Sequence, residues 1–265
     1  MMPLYKLTFF VFIFLFVSQR NYGQHSDTII INQNNVNTNV LKDGKSVYLV
    51  YFKMKKDSIR TMTQFWTRTI AREPYNGIDA ITVSQSWEDK DSIVHTTKSV
   101  CDSKTFAPIY QYSWWKRAGK ISTSSFDFVN KQAIVDEKPL TETDTAKSRK
   151  AAWQSFLKAN NQYTLNWHLD LEVFPILPYK KGRVFSVPFY DPGFSAPKQV
   201  IYTVSGEDLL LSHDNQKIDC WLLMHTDKGN KEVFWISKKT KEVLKLEQQI
   251  NGTMYRYKIK LGFSM

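Results

Sequence analysis

Val243-Leu244-Lys245-Leu246-Glu247-Gln248-Gln249-Ile250-Asn251-Gly252-Thr253-Met254-Tyr255-Arg256-Tyr257-Lys258-Ile259-Lys260 is the stretch whose reading decides the fold. Two strand-like runs flank Asn251-Gly252, and Asn followed by Gly suits the left-handed backbone of a type I′ turn. The stretch predicts an antiparallel hairpin. Asn251-Gly252-Thr253 also fits the N-glycosylation pattern, but the turn already accounts for it.

Working back from this hairpin, residues 200–205, 208–211, 218–225 and 231–236 read as further strands, with turn residues at Ser212-His213-Asp214-Asn215 and Lys228-Gly229-Asn230. The N-terminal half reads the same way over residues 47–52, 65–70, 78–87, 93–101, 108–115, 120–129 and 133–136. Short strands with such punctuation imply hairpins, as opposed to parallel βαβ units. Residues 143–160 interrupt the pattern with helix formers, and Trp153, Phe156 and Leu157 share one helical face. Residues 165–177 fit neither a helical nor a strand period. Five of the nine prolines then fall between Pro175 and Pro197, which implies extended or turning chain. The expectation is a mainly β protein: a single curved, half-barrel-like antiparallel sheet over 46–265. A helical insertion at about 143–177 covers one face and shields it only in part.

The C-terminal half carries a set of phrases: Leu177-Pro178, Phe189-Tyr190-Asp191-Pro192-Gly193, Tyr202-Thr203-Val204-Ser205-Gly206-Glu207, Asp219-Cys220-Trp221 and Phe234-Trp235-Ile236-Ser237-Lys238. Together they resemble the exported bacterial proteins of domain-of-unknown-function family 3108 and its relatives. Those are similar in turn to the half-barrel of outer-membrane lipoprotein carriers. The resemblance covers the chain from Leu177 onward. It implies an extracytoplasmic compartment, a curved sheet with helices across its concave face and an apolar cavity, and it brings no catalytic residues.

The N-terminus supports export independently. Lys6 precedes the apolar run Leu7-Thr8-Phe9-Phe10-Val11-Phe12-Ile13-Phe14-Leu15-Phe16-Val17, and polar residues follow to Gly23. A run this short cannot span about 30 Å of hydrocarbon at roughly 1.5 Å per residue. It matches the core of a signal peptide over 1–23. No cysteine lies near the cut for lipid attachment, so a periplasmic or secreted protein is expected. An Asn-rich stretch within residues 24–45 reads as a polar, loose leader. Of the 36 basic residues, Lys6 and Arg20 fall in the signal, as do none of the 25 acids, so the cut chain carries +9. Apolar residues at 42 % can build a core and argue against disorder. Cys101 and Cys220 allow one disulfide, with two buried thiols the alternative.

Candidate chemistry is sparse. His168, Asp170 and Glu172 would share a strand face and could hold a metal. They lack a second histidine at ligand spacing, and a solvated face is the plainer reading. Gly193-Phe194-Ser195-Ala196-Pro197 lacks the second glycine of a nucleophile elbow, and Pro197 stands where a helix would start. No Gly-rich phosphate loop exists, and Asp136-Glu137 and Glu207-Asp208 are too close in sequence to share a strand face. No catalytic residue, metal ligand or cofactor is assigned. Basic clusters recur at Lys53/Lys55/Lys56, Lys116/Arg117/Lys120, Lys147/Arg149/Lys150, Lys180/Lys181/Arg183 and Lys238/Lys239/Lys241. They read as a solvated surface or as attraction to anionic headgroups or an acidic partner, not nucleic acid. Asp27-Thr28-Ile29, Asp57-Ser58-Ile59, Asp91-Ser92-Ile93 and Asp144-Thr145-Ala146 resemble an O-glycosylation signal of Gram-negative envelopes, with turn chemistry the alternative. Tyr110, Tyr112 and Trp114 alternate along one strand face, and Trp221 and Trp235 add aromatic surface. The functional expectation is a non-enzymatic periplasmic protein binding a lipid-like or apolar ligand in a groove lined by these five. An envelope interaction or assembly factor is the alternative, and a hydrolase the third.

Overall fold

The computed structural model describes residues 28–212 and 214–263. The expected signal peptide over 1–23, Asp27 and His213 lie outside the described residues.

Nine strands precede the helical region. They are β1 (Thr28–Ile30), β2 (Gly44–Lys53), β3 (Thr61–Tyr75), β4 (Ile78–Glu88), β5 (Ile93–Asp102), β6 (Pro108–Arg117), β7 (Lys120–Asp127), β8 (Gln132–Val135) and β9 (Lys138–Pro139). Helix α1 (Lys147–Asn160), β10 (Leu165–Asn166) and the single turn α2 (Asp170–Val173) form the middle. Seven or more residues then build each of β11 (Val184–Tyr190), β12 (Lys198–Leu211), β13 (Lys217–Asp227), β14 (Asn230–Ser237), β15 (Val243–Ile250) and β16 (Met254–Lys260). All sixteen strands join one sheet, in the order β1-β11-β12-β13-β14-β15-β16-β2-β3-β4-β5-β6-β7-β8-β9, with β10 beside β11. The sheet is mainly antiparallel, curved and unclosed. Sequence neighbours pair within each half, and β16 against β2 welds the two halves.

The deciding hairpin forms as its residues dictate. Asn251 and Gly252 take φ of 49° and 72°, and the Thr253 N–H donates to the Ile250 carbonyl at 3.2 Å. One difference is instructive. Residues 198–211 form one strand where Gly206-Glu207 suggested a break, and a bulge between Val204 and Gly206 absorbs the irregularity.

Strands β2–β5 and β11–β15 turn their inner faces onto one core cluster, and residues 165–177 fill the space between them. Leu165, Leu169, Leu171, Val173, Phe174, Ile176 and Leu177 are all buried. Phe174 alone meets Tyr202 at 4.8 Å and Phe234 at 4.5 Å between ring centroids. This plug shows no period because no side of it faces water, and Pro175 helps break it into 3-10 turns flanking α2. The partial shield expected from the sequence is thus a packed filling along the middle of the sheet. Helix α1 sits elsewhere, burying Phe156 and Ala159 with Phe126, Phe128 and Tyr190 at the β7–β9 end.

The Asn-rich segment, expected to be loose, is a belt. β1 pairs parallel with β11, Ile31 and Leu41 enter the core, and Asn37 N–H donates to the Ile176 carbonyl at 2.9 Å. Its asparagines serve turns: Asn35 Oδ1 accepts from Asn32 N–H and Asn37 Oδ1 from Asn39 N–H.

Charged residues fasten the plug to the walls. Arg68 on β3, 1 % exposed, forks onto Glu172, its Nε donating to Oε1 at 2.8 Å and Nη2 to Oε2. Its Nη1 donates to Gln85 Oε1 at 2.9 Å and Nη2 to the His168 carbonyl at 3.0 Å. Lys258 on β16, separated from β3 by β2 alone, pairs with Asp170 and lies 4.8 Å above the Trp66 ring. Burial alone would push the Asp170 carboxyl up, but Lys258 and Arg68 hold it below the usual carboxylate range. Arg68→Met strands the Glu172 charge and is expected to lower stability by about 3–5 kcal/mol, whereas adding Glu172→Leu restores most of that loss. Denaturant midpoints of the three proteins check this, and an Arg68→Met protein as stable as the parent contradicts the role given to the pair.

Candidate functional site

The plug leaves open space at one end of the half-barrel. There the β14–β15 turn, the start of β2 and the belt surround a recess of about 620 Å³. Its apolar lining comes from Val40, Leu41, Tyr48, Ile70, Leu171 and Pro175. Lys42, Lys239 and Lys241 stand around its mouth. The two acids of the lining are taken up internally, Glu172 by Arg68 and Glu242 by Lys260. Burial, then the Glu172 carboxylate, pushes the Tyr48 phenol far above its ordinary value, so it stays protonated and donates to the Val243 carbonyl at 2.9 Å. A second depression shares Asn37, Val40, Pro175 and Lys241 with the first, which extends the space around the belt. The arrangement can seat a hydrocarbon portion below and an anionic group at the lysines.

A second unusual region is the inner wall of β4–β6. Ser99 faces Gln111, Thr97 faces Ser113 and His95 faces Trp115 across the β5–β6 pair. This row turns toward the plug, because Gln111 Oε1 accepts from Asn166 Nδ2. Among the described residues, His95 Nε2, Thr97 Oγ1, Ser99 Oγ and Trp115 Nε1 are buried without a hydrogen-bond partner in the chain. His95 Nδ1–H donates to the Trp114 carbonyl at 2.8 Å, and its ring stacks on Trp115 at 3.5 Å. The imidazole is therefore neutral, with an acceptor nitrogen directed into the interior.

The five aromatics read from the sequence do not converge. Tyr110, Tyr112 and Trp114 do share one face of β6, but it is the outer one, since Gln111 and Ser113 between them point inward. Tyr110 stacks there on Tyr75 at 5.8 Å. Trp221 is half-buried against the main core, with Tyr179 stacked 6.3 Å away and Lys238 Nζ 4.5 Å above its ring. Trp235 belongs to a separate cluster with Ile218, Cys220 and Leu244, and its Nε1 donates to Asp208 at 3.0 Å. None of the five lines the recess.

His168, Asp170 and Glu172 are drawn apart onto three partners. His168 Nε2 lies 3.2 Å from Asp191 Oδ1, while Asp170 and Glu172 hold Lys258 and Arg68. Instead of a solvated face, the last two are interior anchors. Among the described residues no group of three or more His, Cys, Asp or Glu is placed to hold a metal ion. Ser195 lies in an exposed turn whose N–H donates to the Asp191 carbonyl. Cys101 and Cys220 are buried free thiols in different clusters, and burial pushes the Cys220 thiol up to about 11. Of the recess lining the sequence singled out Lys239 and Lys241, as part of a basic cluster, and Glu172, as a candidate metal ligand. Tyr48 and Ile70 looked like ordinary strand residues, and only the fold brings them to the plug.

The family model described as Protein of unknown function (DUF3108) matches residues 47–260. No curated protein matches the chain. One similar solved structure is described as the crystal structure of a β-barrel-like protein of domain of unknown function DUF1849 from Brucella abortus. It shares 8 % identity at a TM-score of 0.43, over 82 % of this chain and 94 % of its own. Among the described residues no helix is long and apolar enough to cross a membrane.

Burial pushes the His95 pKa down from 6.5 to about 3, with the Trp114 hydrogen bond opposing and the His168 and Arg117 charges assisting. The unfolded chain takes up this proton first as pH falls. The contribution to stability is therefore complete above pH 6.5 and is lost progressively toward pH 3. Between pH 6.5 and about pH 4 the parent should lose about 2–3 kcal/mol through this group, and His95→Gln should flatten that slope. Denaturant midpoints against pH read the difference, and identical slopes would count against a neutral, buried His95.

Proposed function

The chain belongs to the DUF3108 family, whose function is unknown, and from that premise we propose that it is an exported binding protein for an amphiphile with an anionic group. Binding, not catalysis, is its task. The observation that carries this reading is the recess at the β14–β15 end, apolar within and lysine-bordered at its mouth. Its volume lies within the roughly 300–1,000 Å³ usual for ligand pockets. Val40, Ile70, Leu171 and Pro175 shed water against an acyl or other apolar portion, which supplies most of the affinity at about 25 cal/mol per Å² buried. Lys42, Lys239 and Lys241 select a carboxylate or phosphate at the rim, where each charge interaction is modest because water screens it. The short apolar run at residues 7–17 supports export. The filled middle of the sheet limits the ligand to this end, so it lodges beside the plug and not along the whole concave face.

Native mass spectrometry of protein purified from its own host should show a bound amphiphile released by organic solvent. In a direct titration with a fluorescent fatty acid, Ile70→Trp is expected to weaken binding at least tenfold by filling the recess. Lys239→Glu with Lys241→Glu should weaken the fatty acid about tenfold but spare the matching alcohol, because only the anion meets the rim. A parent protein that neither carries nor binds such molecules overturns the reading.

A further inference from the structure

The strands alternate in direction, so the β2–β3, β4–β5, β6–β7 and β11–β12 turns all emerge at the end opposite the recess. That end carries large apolar side chains in water. Met54, Ile59 and Met62 are exposed on the β2–β3 turn, Ile59 by 83 %. Ile93 adds to the β4–β5 turn, Ile121 to the β6–β7 turn and Phe194, 54 % exposed, to the β11–β12 turn. Cations surround them. Lys53, Lys55, Lys56 and Arg60 share the β2–β3 turn with the single acid Asp57, and Lys116, Arg117 and Lys120 flank the β6–β7 turn without an acid.

We propose that this end of the half-barrel docks on an anionic lipid bilayer, with the residue 53–62 turn as its principal anchor. Apolar side chains at the turn tips, three of them on the lysine-rich β2–β3 turn, suit insertion at the headgroup level. A protein partner would call for a contiguous patch on the order of 800 Å² per side, whereas these six side chains are spread over four turns. Basic residues near an anionic surface act together, and Lys55 and Lys56 project without a paired acid on their own turn beyond Asp57. The intervening β4–β5 turn is acidic, with Glu88, Asp89 and Asp91 against Lys90, and is therefore no anchor itself. Asp89 Oδ1 accepts from Asp91 and Ser92 N–H at 2.9 Å, and Asp91 lies 3.8 Å from Lys90. Arg117 lies over the Trp115 ring at 3.8 Å and within 6.0 Å of Phe194, which couples a cation to an apolar tip. Docked this way, the protein turns its recess away from the bilayer.

Sedimentation with vesicles checks the proposal on the protein as processed by the expressing cell. Equal parts phosphatidylglycerol and phosphatidylcholine should bring it down, and phosphatidylcholine alone should not. Lys55→Glu with Lys56→Glu should reduce partitioning at least tenfold. Lys180→Glu with Lys181→Glu changes net charge equally at the recess end and should leave partitioning within twofold. Ile59→Ser should weaken binding severalfold with charge unchanged. Both native thiols are buried, so a fluorophore on Ile59→Cys labels the tip selectively, and its emission should shift to the blue on anionic vesicles. Equal loss in the two charge-reversed proteins, or a tip probe that stays in water, overturns the proposal whether or not the recess binds an amphiphile.

Discussion

The structure depends on a guanidinium and a carboxylate held together with almost no water. Neither Arg68 nor Glu172 could be buried alone, since an isolated ion in a low-dielectric interior is penalised by several kcal/mol. The fork between them is acceptable because Gln85 and the His168 carbonyl occupy two of the three donors that Glu172 leaves over. This requirement is geometric. It places α2 at one height and one rotation within the sheet. The Lys258–Asp170 pair then ties the same turn to β16, so the plug is fastened at two points to one stretch of wall, on either side of β2. The β16–β2 ladder that joins the two halves of the unclosed sheet is thus backed by a common interior segment.

That constraint shapes the main core. A plug fixed at mid-height fills the middle with Leu169, Val173 and Phe174, and open space remains beyond Leu171 and Pro175. The Asn-rich belt crosses there, bonded to Ile176 and to Ser103, and converts the end of the barrel into a bordered recess. The alternating strands send their basic, apolar-tipped turns the other way. The recess and these tips thus lie at opposite ends for topological reasons, and neither had to be built by a separate domain.

Local rules made the sheet readable. Asn251-Gly252 specifies its own turn, and alternating strands need only near neighbours to form hairpins. The candidate site was not readable because its residues meet through separations such as Arg68 to Glu172, where no local pattern operates. Alternation correctly grouped Tyr110, Tyr112 and Trp114, but period two says which residues share a face and not which face lies inside. On β6 the usual inference inverts: Gln111 and Ser113 face the interior and the aromatics face outward. The belt was misread for a related reason. Asparagine is common in loose segments, yet the same side chain closes turns, and Ile31 and Leu41 were too few to signal a buried anchor.

The inversion on β6 follows from the plug. Its leading part presents Asn166 and the His168 carbonyl, and its trailing part presents Phe174, Ile176 and Leu177. The walls match this order. Arg68, Gln85 and Gln111 on β3, β4 and β6 bond Asn166 and the His168 carbonyl, whereas Phe189, Tyr202 and Phe234 on β11, β12 and β14 meet the Phe174 ring. A plug inserted the other way round would set phenylalanine against serine and strand asparagine among aromatic rings, each buried orphan adding about 1–3 kcal/mol. Polar side chains interspersed on the β3–β6 wall and aromatic rings on the β11–β14 wall therefore favour one orientation of a segment that carries no periodic signal of its own. The orphaned His95, Thr97, Ser99 and Trp115 atoms sit on that β3–β6 wall, so the wall that disfavours a reversed plug also holds hydrogen-bonding capacity inside the molecule.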